Sequence, residues 1–250
     1  MVVLLDGTIL AAGGYGSPQG YTFLDSVEVY SPATGTWAAT GSLGTARAHF
    51  QMVLLPDGSV LAAGGTSNTG VLSSAEIYSP AMRKWVATGL LRTPRKYFQM
   101  VVLHDGSILA AGGLDGVGAT NSSEVFDPNA GNWTATGSLM TGRLRFQMVV
   151  LTEGTVLATG GTDDEFGFSA LAEVYNPTRQ TWTATGALAN ARANFQMLSL
   201  RSGFVLAAGG TNGSSLTSAE MYSPTTGVWA ATGMLTTARA EFQMVGTANG

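Results

Sequence analysis

The chain offers little for covalent or metal chemistry: two histidines, His49 and His104, and no cysteine. That inventory excludes disulfides, thiolate zinc sites and cysteine nucleophiles, and it leaves too few imidazoles for a histidine-rich metal centre. The charged groups that recur are one arginine and one glutamate per period of about fifty residues: Arg47, Arg95, Arg143, Arg192 and Arg239, and Glu28, Glu76, Glu124, Glu173 and Glu220. Because a partly buried charge needs a partner, a repeated Arg/Glu pairing is the structural reading; an arginine ring for anions is the other. A second position varies instead of repeating. The residue before each Phe-Gln pair is His49, Tyr97, Arg145, Asn194 or Glu241. Glu241 and His49 are acid/base-capable groups, Arg145 would meet a negative group, and Tyr97 offers a hydroxyl or a stacking face. The adjacent acids Asp163, Asp164 and Glu165 lack the spaced oxygen ligands of a calcium loop. No Ser/His/Asp set or phosphate loop is present, and neither a metal nor a cofactor is expected.

The elements that must position these residues are internal repeats. Gly-Gly recurs at Gly13, Gly64, Gly112, Gly160 and Gly209, followed in each copy by Trp37, Trp85, Trp133, Trp182 or Trp229. Each copy holds four short β-like runs, for example Phe98 to Leu103, Ser107 to Ala111, Ser123 to Phe126 and Asn132 to Thr136. The first turn is Asp-Gly or a variant of it, and the third carries Pro32, Pro80, Pro128, Pro177 or Pro224. No segment keeps a 3.6-residue apolar period over three turns, so essentially no helix is expected. A four-stranded antiparallel meander has two faces to bury, and stacking copies radially buries both.

The double glycine, the third strand Glu76-Ile77-Tyr78-Ser79-Pro80 and the tryptophan strand resemble the kelch motif. The resemblance covers nearly the whole chain and implies an all-β fold, a five-bladed β-propeller of four-stranded antiparallel blades in one domain. Its repeats run roughly 1–46, 47–94, 95–142, 143–191 and 192–238, with 239–250 closing the first blade. Phe242 and Gln243 are expected to complete the innermost strand opened by Met1; the alternative is a piece of a longer array. If the blades are placed as in kelch proteins, His49 and its equivalents ring the mouth of the central channel, in the order Glu241, His49, Tyr97, Arg145, Asn194. The tryptophans are read as packing between blades.

In a meander the loop between strands two and three shares an end with the arginine-bearing links, and the Asp-Gly and Pro turns occupy the other end. The variable 2–3 loops make the first end the functional one. The first loop carries Tyr15, Tyr21 and Phe23, and the fourth carries Phe166 and Phe168. Exposed loop aromatics suit carbohydrate or peptide contact, and unconstrained drift accounts for them as well.

Composition narrows the partners. The chain has 250 residues, net charge −4 and only 11% charged residues, against about 25% in ordinary soluble domains. Twelve basic residues spread along the sequence make no footprint for nucleic acid, and no run approaches a membrane span. The leading reading is a non-enzymatic propeller presenting variable loops to a protein or glycan, either monomeric or within a longer secreted or cell-surface chain. The sequence itself carries no signal peptide and does not settle the compartment. A sugar mutarotase or epimerase, similar to the kelch sialic-acid mutarotases, and a structural array fragment are the other readings. The copper-radical chemistry of galactose oxidase, similar in fold only, requires a tyrosine cross-linked to cysteine and is excluded.

Overall fold

The computed structural model describes residues 1–16, 22–163 and 167–246. Tyr21 and Phe166, with Asp164 and Glu165, lie outside the described residues. The chain is all β, with five four-stranded antiparallel sheets, two two-stranded sheets and no helix among the described residues.

The first sheet is built from Val2–Val3, Ile9–Ala12, Val27–Ser31 and Thr36–Ala39, and the second from Gln51–Leu54, Val60–Ala63, Ala75–Ser79 and Lys84–Ala87. The third, fourth and fifth repeat this plan, and strands adjacent in a sheet follow chain order. The two small sheets are hairpins within 2–3 loops: Tyr15–Gly16 with Thr22–Phe23, and Thr66–Ser67 with Gly70–Val71. After Val228–Ala231 the described residues contain no further strand, Phe242 to Val245 included.

The chain divides into two compact units: Met1–Ala110 with Leu114–Val117 and Glu124–Ala135, and Ala111–Gly113 with Gly118–Ser123 and Thr136–Gly250. Within the first, Leu10 and Val27 of the first sheet, with Leu4 just after its first strand, pack with Val60, Ala62, Tyr78 and Trp85 of the second. The alternate residues Leu61, Ala63 and Ala75 turn to the third sheet, meeting Phe98, Met100, Ile108, Ala110, Phe126 and Trp133. Strand periodicity sends successive side chains to opposite faces, which is why Val60–Ala63 is apolar throughout and buried at every residue. The second unit repeats the arrangement with Leu151, Leu157 and Ala172 against Phe195, Val205, Ala207, Tyr222 and Trp229.

The turns follow their residues. Gly7, Gly58, Gly106, Gly154 and Gly203 in the first turns have φ between 82° and 89°. Asp57 Oδ1 accepts the Ser59 N–H at 2.9 Å and the Ser59 hydroxyl at 2.6 Å, and Asp6 and Asp105 do the same for Thr8 and Ser107. These hydrogen bonds to the charged form hold the Asp6, Asp57 and Asp105 carboxyls below the usual aspartate range. In the first unit Pro56, Asp57, Asp105, Gly106, Pro128 and Asn129 line one shallow depression, so Asp-Gly and Pro turns share an end there.

Candidate functional site

In the second to fifth sheets the repeated arginine enters from the preceding link and is clasped there. Arg47 Nη1 donates to the carbonyls of Gly64 and Ser74 at 2.8 and 2.9 Å, and Nη2 donates to Ser74 Oγ at 3.0 Å and Glu76 Oε1 at 2.8 Å. Nε completes the set on the Thr45 carbonyl at 3.3 Å. Glu76 in turn accepts the N–H groups of Gly44 and Thr45 at 2.6 and 3.2 Å. The same ion pair joins Arg95 to Glu124, Arg143 to Glu173 and Arg192 to Glu220, each arginine meeting the third-strand glutamate of the sheet it leads into. All four arginines are at most 1% exposed, which puts them out of reach of an external anion. Burial pulls Arg47, Arg95 and Arg143 below the ordinary guanidinium value, and the facing carboxylates oppose that shift.

Glu28 and Arg239 depart from this pattern. Glu28 is exposed and has no ion pair among the described residues. Arg239 is exposed too, its Nε on the Thr237 carbonyl at 3.4 Å and its guanidinium 5.9 Å from the Phe242 ring. The equivalence of all five copies therefore fails at these two residues.

The link also builds the neighbourhood of the variable position. Ala48 bridges Thr66, Lys96 bridges Leu114, Leu144 bridges Thr162 and Ala193 bridges Thr211, so links and 2–3 loops lie side by side. Just beyond these four bridges His49, Tyr97, Arg145 and Asn194 have left-handed backbone, as does Glu241, φ 52° to 56°. For residues other than glycine that conformation costs on the order of 1–2 kcal/mol. Its structural use is a ladder from copy to copy. The Tyr97 N–H donates to the His49 carbonyl at 3.3 Å, that of Asn194 to Arg145 at 3.1 Å and that of Glu241 to Asn194 at 3.0 Å. The backbone is thereby held and the side chains project with no common packing requirement.

In the first unit this brings aromatic faces together. The His49 and Tyr97 rings are 4.3 Å apart, Tyr15 meets His49 edge-on at 5.3 Å, and Phe23 lies 5.1 Å from Tyr15. Lys96 Nζ sits 5.6 Å from the Tyr97 ring centre. His49 is exposed, Tyr15 is 40% exposed and Tyr97 is half-buried. In the second unit, Asn194 Nδ2 donates to Glu241 Oε1 at 3.3 Å. Phe168 is half-buried and bridges back to Thr162, and Asp163 Oδ1 accepts the Gly167 N–H at 2.6 Å, inside the loop. His104 stays exposed in a first turn. Sequence reading did not single out Lys96; its adjacency to Tyr97 was the available signal.

Residues 2–44, which hold Gly13-Gly14, Glu28 and Trp37, match the family model of the Kelch motif. No curated protein matches the chain.

Proposed function

We infer from a first copy that matches the Kelch motif, and from four more copies in phase with it, that the chain is a non-enzymatic recognition module whose five sheets are propeller blades. Kelch-type repeats commonly serve as protein-interaction scaffolds, and a fold of this kind does not by itself specify a ligand. The observation that carries the reading is the aromatic cluster of exposed Tyr15 and His49 with half-buried Phe23 and Tyr97, beside Lys96 on a backbone held by main-chain hydrogen bonds. Rigid rings presented from fixed backbone stack on a ligand with little loss of side-chain freedom, and a sugar ring matches them through its C–H face. A glycan is the favoured ligand; a peptide docking on the same faces is the other outcome.

Binding should therefore concentrate on the first unit. A glycan and peptide array, followed by titration of the best hit, tests this with Tyr97→Ala and Tyr15→Ala against Met82→Ala, a 69% exposed residue in a Pro turn. Losing a stacked ring weakens affinity by about tenfold or more, a cost of about 1.4 kcal/mol or above. Equal affinity in all three variants would remove the site, and silence on both arrays would count against recognition of either class.

A further inference from the structure

A groove of about 380 Å³ lies between the first and second sheets, at the end formed by the first turn of one and the third turns of both. Leu4, Val29 and Ala38 give it apolar walls, and Thr34, Thr36 and Thr40 add hydroxyls. Thr34 pairs with Thr36 at 2.8 Å and Thr40 with Tyr78 at 2.7 Å; each pair uses one hydrogen between two oxygens and keeps the other to donate. Opposite charges, Asp6 and Arg83, stand on this same groove. No ion pair joins them, and the Arg83 guanidinium makes no hydrogen bond among the described residues. Asp6 Oδ1 accepts the Thr8 N–H and hydroxyl at 2.9 and 2.6 Å, while its Oδ2 has no such contact among the described residues. Arg83 is unusual for its place. The corresponding third-turn residues of the other sheets are Gly35, Gly131, Gln180 and Gly227. Those glycines adopt φ 65° to 68° without strain, whereas Arg83 holds φ 51° against the steric demand of its Cβ. Ala38 is small where the second, third and fourth sheets have Val86, Thr134 and Thr183. A strained arginine and a missing side-chain volume thus fall on one groove, and retained backbone strain is a pointer to use.

We propose that this groove binds a short zwitterionic molecule, an amino acid or a dipeptide, with its carboxylate on Arg83 and its ammonium on Asp6. The planar guanidinium fork matches a carboxylate through two parallel hydrogen bonds, and an ammonium has three hydrogens to offer the Asp6 carboxylate. A purely anionic ligand would face Asp6 and a purely cationic one Arg83, so a molecule that carries both signs is favoured over either. The volume lies at the small end of ligand pockets, enough for one or two residues. Within it the apolar walls receive a small side chain, and the threonine hydroxyls that still have a hydrogen donate to a ligand carbonyl. None of these residues belongs to the aromatic cluster of Tyr15, Phe23, His49 and Tyr97, so the groove is a second site, independent of the first.

Saturation-transfer NMR titration with the common free amino acids and with L-alanyl-L-alanine tests the proposal, and the best binder is then titrated in its N-acetylated and C-amidated forms. At least one free zwitterion should bind, and blocking either end should weaken it by at least about tenfold. Binding of a single amino acid or tighter binding of the dipeptide would each support the proposal and fix the ligand's length. Arg83→Gly restores the turn residue of three other sheets, so it should lose affinity by at least about tenfold with no fall in melting temperature. Asp6→Asn keeps the acceptor for Thr8, removes the charge and should weaken binding to a similar extent. Ala38→Val should block the groove with both charges in place. Silence of every zwitterion, blocked forms that bind as well as free ones, or wild-type affinity in Arg83→Gly and Asp6→Asn would each overturn the proposal.

Discussion

Arg47 Nη2 donates to Glu76 Oε1 at 2.8 Å while the same glutamate accepts two N–H groups from the link that carries the arginine. One carboxylate thus ties a connection to the third strand of the sheet that follows it. The ion pair stands in for packing where the chain turns from one sheet to the next and has backbone groups to satisfy.

Breaking a clasp from one side should be severe. Arg95→Ala leaves Glu124 buried and unpaired, and is expected to cost about 3–5 kcal/mol in urea denaturation. Arg95→Met combined with Glu124→Leu removes both charges and should cost clearly less than the single change.

The double glycines separate two kinds of constraint. At Gly64, with φ 65°, an added Cβ would lie 2.5 Å from the Arg95 carbonyl and 2.8 Å from the Phe98 ring. At Gly7, with φ 82°, nothing lies within 4 Å. Gly7→Ala should cost about 1–2 kcal/mol from backbone strain alone, and Gly64→Ala several kcal/mol more; thermal melts of the two variants check the order.

The tryptophans should no longer behave alike. Trp85, 6% exposed in the core between two sheets, is expected to cost about 3–5 kcal/mol when replaced by alanine. Trp37→Ala, at 47% exposure, should cost less than half of that in dilute protein. Chemical denaturation of both variants measures the gap.

Acid should act through the first turns. In the native state Asp57 and Asp105 are held below their unfolded value of about 3.9 by the Ser59 and Ser107 side chains. A carboxyl whose folded value is depressed contributes stability that is full above the unfolded value and disappears as pH falls through the folded one. Asp57→Asn and Asp105→Asn should therefore flatten the fall in urea midpoint below about pH 4, with little change in pH dependence near neutrality.

The repeated positions were the legible part. Apolar alternation in Val60–Ala63, glycine in the first turns and one arginine with one glutamate per copy are local requirements, met by residue type at fixed spacing. The strand-like run Ser123 to Phe126 is a strand extended by one residue, to Asp127. The aromatic character of Tyr15, Phe23 and Tyr97 was legible in the same way. Left-handed backbone at His49 and its four equivalents was not, because no glycine marks it; at Tyr97, Asn194 and Glu241 it accompanies a hydrogen bond to the previous copy.

Local sequence made Glu28 equal to Glu76, and Trp37 equal to Trp85. Burial does not belong to a residue type, however. It depends on whether another sheet lies against that face, and the spatial arrangement leaves Glu28 and Trp37 uncovered while enclosing their counterparts. The ring contact of His49 with Tyr97 has the same origin, since residues nearly fifty positions apart meet only when successive links stack.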